Sequence, residues 1–468
     1  MKRSNLVAFA MYVLCFINAC GGSANGGGGG GGGGSHAATH LTVTASATST
    51  AGTPITISVA ALDSSNRIAT GYSGTVHLTS SDPQAVLAAD STLTSGAKDF
   101  PVTFGTAGNQ TITATDIASS TITGSSNSIQ VAANPNLHAF ESTADMGTGR
   151  YLHAATLLPD GKVLVVGGSD GSNSFATAEI FDSVAGTFTA TGNMHTARFD
   201  PSAVLLAHGS AATNGKVLIV GGNNDHTAEL FDPATGTFTA LGTTASSQFD
   251  PRATLLNSGI VLLAGGFSRN AELFDPSTLT FAATGNMTTF RDSPTATLLN
   301  NGKVLITGGF VQLDSLDSAE IFDPSTGTFT ATGNLTGPRA AHTATLLNNG
   351  KVLVAGGFGD LDALATAELF DPATGTFSPT PSMASAHAYH TATVLDDGTV
   401  LIAGGFGPSK AAELFDPLTG KFTPTASMGT GRELHTATLL NNGQVLITGG
   451  DLQRDPTVVV LKSAELYK

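Results

Sequence analysis

His342-Thr343-Ala344-Thr345-Leu346-Leu347-Asn348-Asn349-Gly350-Lys351-Val352-Leu353-Val354-Ala355-Gly356-Gly357 reads as two short strands joined by an Asn-Gly turn and closed by a glycine pair. The first run is half apolar and the second is apolar throughout, which is the pattern of a strand covered on both faces. After a loop come Ala367-Glu368-Leu369-Phe370, an Asp371-Pro372-Ala373-Thr374-Gly375 turn, and Thr376-Phe377-Ser378. Labelled A to D, the four strands make one sheet. The unit recurs, with glycine pairs at Gly167-Gly168, Gly221-Gly222, Gly265-Gly266, Gly308-Gly309, Gly356-Gly357, Gly404-Gly405 and Gly449-Gly450, at spacings of 43 to 54 residues. Seven four-stranded units at that period predict a seven-bladed β-propeller over 137–468, with B buried between blades and D at the outer edge.

The unit resembles the kelch repeat over about 330 residues, and every copy carries the glycine pair. Kelch strand D usually holds Trp; this chain has none, and Phe188, Phe238, Phe281, Phe329, Phe377 and Phe422 stand in its place. The chain ends on Ala464-Glu465-Leu466-Tyr467, a strand C without its D, whereas Ala139 to Met146 reads as a strand D lying before the first repeat. Residues 138–146 are therefore expected to complete the seventh blade and remove an open sheet edge.

The D-to-A and B-to-C connections emerge on one face of such a ring, and the A-to-B and C-to-D turns on the other. The turns are nearly invariant; the B-to-C loops run from four residues (Phe267 to Asn270) to thirteen (Asp451 to Ser463). On the variable face one aligned column reads Arg150, Arg198, Gln248, Arg291, Arg339, His387 and Arg432, and a second reads His153, Pro201, Pro251, Pro294, His342, His390 and His435. One reading is a ligand rim of guanidinium forks and imidazoles, suited to carboxylates, sulfates or sugar hydroxyls. The resemblance implies the same, since some kelch domains bind acidic ligands through arginines at this position. The other reading is internal pairing with the strand C column Glu179, Glu229, Glu272, Glu320, Glu368, Glu413 and Glu465, where an unpaired charge would be costly.

Outside the repeats, Lys2 and Arg3 precede an apolar run from Leu6 to Ile17 that is short for a membrane span and matches a signal peptide over 1–19. Its end, Ile17-Asn18-Ala19-Cys20, resembles the lipobox of bacterial lipoproteins, which implies lipidation at Cys20 and a membrane contact through that anchor only. Residues 20–36, with nine consecutive glycines from Gly26 to Gly34, form a flexible tether. The period-2 strands of 37–133 predict a β-sandwich that resembles bacterial immunoglobulin-like modules of surface proteins, notably at Gly71-Tyr72-Ser73-Gly74-Thr75-Val76 and Gln110 to Asp116.

The formal net charge is −15, which disfavours nucleic acid as a partner. The two cysteines, Cys15 and Cys20, both precede the folded domains. Disulfides, thiolate ligands and cysteine nucleophiles are thus absent from them. Kelch propellers form the core of galactose oxidase and its relatives, whose copper-radical chemistry needs a tyrosine crosslinked to cysteine; the propeller holds Tyr151, Tyr389 and Tyr467 but no cysteine. No catalytic residue, metal or cofactor is assigned. The expectation is a monomeric binding or adhesion protein tethered to the bacterial envelope, with a glycan or acidic-protein ligand. Its alternatives are a carbohydrate-active hydrolase, lyase or epimerase, and a scaffold of an envelope complex.

Overall fold

The B strands are the most thoroughly buried segments of the chain: Val163–Val166, Val217–Val220, Val261–Ala264, Val304–Thr307, Val352–Ala355, Val400–Ala403 and Val445–Thr448 are buried at every position. Short β-branched and apolar runs of this kind have no polar face to offer water, so both of their faces must be covered. In the computed structural model each B strand lies between an A and a C strand of a four-stranded antiparallel sheet, in the order A-B-C-D. The structure describes residues 37–132, 134, 138–207, 213–222, 226–244, 251–360, 362–454 and 457–468. The expected signal segment 1–19, the expected lipidation at Cys20, the expected tether over 20–36 and Gln248 lie outside the described residues.

The A strands, Ala154–Leu157, Ser202–Leu205, Arg252–Leu255, Thr295–Leu298, Thr343–Leu346, Thr391–Val394 and Thr436–Leu439, pack each against the next, and the first also touches the last. Seven sheets therefore form a closed ring with A innermost: an all-β, seven-bladed propeller. At the outer edge the strand C and strand D phenylalanines stack in register. The Phe181–Phe188, Phe231–Phe238, Phe274–Phe281, Phe322–Phe329, Phe370–Phe377 and Phe415–Phe422 ring centroids are each 4.8 Å apart. This geometry uses the ring faces alone, so Phe serves without an indole N–H.

The outer strand of the seventh sheet is Phe140–Ser142, paired antiparallel with Ala464–Tyr467. Phe140 and Tyr467 take the place of the Phe pair at 4.9 Å, the Tyr467 hydroxyl bonds His138 Nδ1 at 2.9 Å and Thr425 Oγ1 at 3.1 Å, and Lys468 pairs with Glu141. Tyr467→Phe keeps the ring contact and removes both hydroxyl bonds, so it is expected to cost about 1–3 kcal/mol in urea unfolding of the full chain. An unchanged midpoint would mean that the closure does not depend on this hydroxyl.

Residues 37–132 form three sheets around one core that includes Ile57, Val59, Val76, Phe100, Ile112 and Val131. Its longest strands are Pro54–Leu62, paired with both His40–Thr44 and Ala97–Thr103, and Thr75–Ser80, paired with Ile112–Asp116. Tyr72 donates a hydrogen bond to the Asp116 carboxylate, and Asp82 accepts from the amides of Gly105 and Thr106. These are turn-holding bonds within the core.

Candidate functional site

Each arginine of the repeat column is threaded into its own blade. Arg150, Arg198, Arg291, Arg339 and Arg432 are 0–1% exposed. Nη1 donates to the carbonyl of the first glycine of the pair, at 2.7–2.9 Å, and to the carbonyl of the Thr or Ser just before the Ala-Glu step. Nη2 reaches the strand C carboxylates of Glu179, Glu229, Glu320, Glu368 and Glu465 at 3.0, 3.2, 3.0, 2.7 and 2.8 Å. The carboxylates in turn accept backbone N–H bonds from the incoming D-to-A segment, as Glu179 does from Gly147 and Thr148 and Glu465 from Gly429 and Thr430. One buried ion pair thus pins the strand arriving from the preceding blade to strand C of the blade it enters. In blade 6, His387 does the same work: Nδ1 bonds the Gly404 carbonyl at 2.6 Å and Nε2 the Glu413 carboxylate at 3.3 Å. Burial alone would raise the Glu413 carboxyl, but bonds from His387, Ala384 and Ser385 outweigh it and hold it below its ordinary range.

The second column ties blade to blade. His153, His342, His390 and His435 are buried, and their Nε2 atoms bond threonines of the preceding blade: Thr436 and Thr448, Thr295 and Thr307, Thr343, and Thr391, all at 2.9–3.1 Å. The first glycine of each pair has room for this only because it lacks a Cβ. One built on Gly308, Gly356, Gly404 or Gly449 would lie 2.7–2.8 Å from the imidazole Cε1 of the next blade, and on Gly265 it would meet Pro294. Burial drives these imidazoles to the neutral form; His342 and His435 are pushed down to about 3, and His153 and His390 well below the usual range. The expected rim of guanidinium and imidazole groups is therefore corrected. The side chains face inward: the arginine Nη atoms and the histidine Nε2 atoms are bonded within the fold, while Nε of Arg150, Arg198, Arg339 and Arg432 and Nδ1 of the four histidines are buried without a partner among the described residues, so the columns present no charge to a ligand.

What does line the mouth on this face is the residue just before each His or Pro. Leu152, Asp200, Ser293, Ala341, Tyr389 and Leu434 all take φ between 47° and 53°. For residues with a Cβ this left-handed conformation costs roughly 1 kcal/mol each. A collar of backbone bonds holds them there: Asp200 N donates to Leu152 O, Leu152 N to Leu434 O, Leu434 N to Tyr389 O and Tyr389 N to Ala341 O, at 2.8–3.1 Å. Outside the collar, Phe267, Phe310, Phe358 and Phe406 follow the glycine pairs of four consecutive blades. Phe267, Phe406 and Tyr389 are 54%, 43% and 36% exposed, and Phe358 packs edge-on to Tyr389 at 5.4 Å and Phe406 at 5.0 Å. Tyr151 meets Phe199 in the same way at 5.8 Å.

Carboxyl groups are set among these rings. Burial raises the Tyr389 hydroxyl, and the charges of Glu433, Asp292 and Asp200 add to the shift, which places all three within electrostatic range of it. Asp200 pairs with Arg252 at 3.5 Å, and Asp292 accepts from the Ser293 hydroxyl. Glu433 and Asp451 form a direct antiparallel bridge and are 1% and 3% exposed. Burial and their mutual repulsion push Glu433 up to about 7, and burial pushes Asp451 up to about 6. Glu433 Oε2 and Asp451 Oδ1 have no hydrogen-bond donor among the described residues, so a proton or a cation is needed between them. The loop acids Asp314, Asp317, Asp360 and Asp362, which lie outside the repeat pattern, are exposed. Repetition gives no signal for Glu433 and Asp451, which stand in columns occupied elsewhere by Ala340 and Ala388, and by the four phenylalanines.

The Kelch motif matches residues 150–195, 293–336 and 339–384. The ring is a kelch β-propeller. No curated protein matches the chain. Among solved structures it is similar to a novel fungal alcohol oxidase of the AA5 family, in complex with copper, at 18% identity and a TM-score of 0.58, covering 71% of this chain and 76% of that one. The likeness is one of fold. Among the described residues of this kelch propeller no group of three or more His, Cys, Asp or Glu side chains is placed to hold a metal ion, and it has no cysteine. A copper-radical centre with a tyrosine–cysteine crosslink does not fit these residues.

Proposed function

We propose that this chain is a non-catalytic binding or adhesion protein of the bacterial envelope whose kelch propeller presents a glycan site at the mouth bearing the D-to-A and B-to-C loops. The observation that carries the reading is the exposed aromatic arc of Phe267, Phe406 and Tyr389, set beside hydrogen-bonding carboxyls. Exposed rings clustered on one face are costly to leave in water and suit the C–H faces of sugar rings, while the carboxyls accept from hydroxyls. In the same reading Cys20 carries the lipid anchor, the glycine run is the tether, and an immunoglobulin-like module over 37–133 is a spacer. An acidic ligand loses its support, because the arginines that would have met it are neutralised inside the blades. The Glu433–Asp451 pair does not favour a glycoside hydrolase, whose two carboxyls stand about 5–9.5 Å apart across an open cleft.

A glycan array probed with the full chain tests this. Phe406→Ala is expected to weaken the strongest glycan signal about tenfold, the worth of one lost stacking contact, while changing stability by no more than about 0.5 kcal/mol. Binding that is unaffected by Phe406→Ala and Tyr389→Ala together would reject this face as the site.

A further inference from the structure

The charge around the mouth is opposite to that of an anion site. Three carboxyls from three different D-to-A segments, Asp200, Asp292 and Glu433, act on one tyrosine hydroxyl, and a fourth, Asp451, bridges to Glu433. Arg252 faces Asp200 and Asp292, and it is engaged by Asp200 at 3.5 Å and by the Pro294 carbonyl at 3.3 Å. A cluster of acids alone would carry little. Here it is joined by an independent feature: Glu433 Oε2, on a side chain 1% exposed, lacks any donor among the described residues, although a buried carboxylate ordinarily collects several. The adjoining Phe358, Tyr389 and Phe406 rings, edge-on to one another at 5.0–5.4 Å, leave ring faces of the kind that attract an ammonium group.

We infer that the ligand of this mouth is a saccharide bearing a free amino group, whose ammonium is held by the Asp200, Asp292 and Glu433 carboxyls against Tyr389. Sugar rings stack on the aromatic arc, and the ammonium supplies N–H donors that the mouth itself lacks. Asp200 and Asp292, partly exposed, make the first contact; Glu433 lies deeper and completes the negative field. The inference rests on the glycan reading above and narrows it.

Titration of the full chain with three oligosaccharide probes of equal length separates the two claims. The probes are β-1,4-linked glucosamine with free amines, the same oligomer fully N-acetylated, and a sulfated oligomer. The amine form is expected to bind at least about tenfold more tightly than the acetylated form, as befits a hydrogen bond to a charged group. The advantage should shrink as salt rises, and Asp292→Asn with Asp200→Asn should abolish it, lowering the affinity for the amine form about tenfold more than that for the acetylated oligomer. Equal or tighter binding of the acetylated or sulfated oligomer would overturn the amine inference and leave the glycan reading standing. No binding of any of the three would overturn both.

Discussion

Replacing Arg432 with alanine is expected to destabilise the propeller by about 3–5 kcal/mol, the usual cost of leaving one partner of a buried ion pair uncompensated. The guanidinium is fully buried and serves the Gly449 carbonyl, the Ser463 carbonyl and the Glu465 carboxylate at once. Removing it strands Glu465 in a site closed to water. Arg432→Lys should recover only part of the loss, because an ammonium cannot reproduce the planar fork that meets three acceptors. His387→Arg in blade 6 should be tolerated, since five other blades already hold the guanidinium at that position. Equilibrium unfolding in urea reads all three; a stable Arg432→Ala protein would mean that the pair contributes little.

The histidine column predicts a second large effect, a steep loss of stability in mild acid. An imidazole held neutral in the fold binds its proton only on unfolding, so the unfolded state takes up more protons below its ordinary value near 6.5. Stability from this source is complete above that pH and falls as pH drops from 6.5 toward 3, where His342 and His435 themselves titrate. At pH 5 His342 and His435 each cost about 2 kcal/mol, or about 4 kcal/mol together, and His153 and His390 add to the loss in the same direction. The Glu433–Asp451 pair works the other way. Its raised carboxyls keep their protons to higher pH in the fold than in the unfolded chain, so their contribution is present in acid and lost as pH rises through about 6 and 7. Between pH 7 and 5 that restores only about 3 kcal/mol, so the histidines win. His342→Pro, which imports the residue found at this position in three other blades, should remove about 2 kcal/mol of the acid loss. Urea unfolding at pH 7 and pH 5 measures it, and a pH-independent midpoint would rule out neutral buried histidines.

The ring was legible because its cause is periodic. An apolar B strand, a glycine pair and a turn repeat at a spacing that one blade sets, and any one copy can be read from its neighbours. The columns were legible as columns, but their direction was not. Arg339, in a D-to-A segment, and Glu368, on strand C, stand far apart in sequence, and only the packing of the segment against strand C decides whether the guanidinium meets Glu368 or solvent. The two interpretations differ in the angle of a side chain, which spacing does not encode. The mouth was hidden for another reason. Its members, among them Asp200, Tyr389 and Glu433, differ in type from blade to blade, so a search for repetition discards them. Asp200 and Tyr389 share a left-handed backbone conformation one position before the His or Pro, where the residue type varies among Leu, Asp, Ser, Ala and Tyr, and Glu433 stands one position earlier in its own segment. The phenylalanines after the glycine pairs were in plain view, but they read as blade packing until Phe267 and Phe406 proved exposed.

The central claim is a division of labour between a buried ionic scaffold and an aromatic, acidic mouth. Unfolding free energy and glycan affinity measured side by side on Arg432→Ala and Phe406→Ala test it most directly. The account predicts opposite outcomes: Arg432→Ala loses about 3–5 kcal/mol of stability and, while folded, binds as the parent does, whereas Phe406→Ala keeps its stability and loses about tenfold in affinity. An Arg432→Ala protein of parental stability that no longer binds would contradict it.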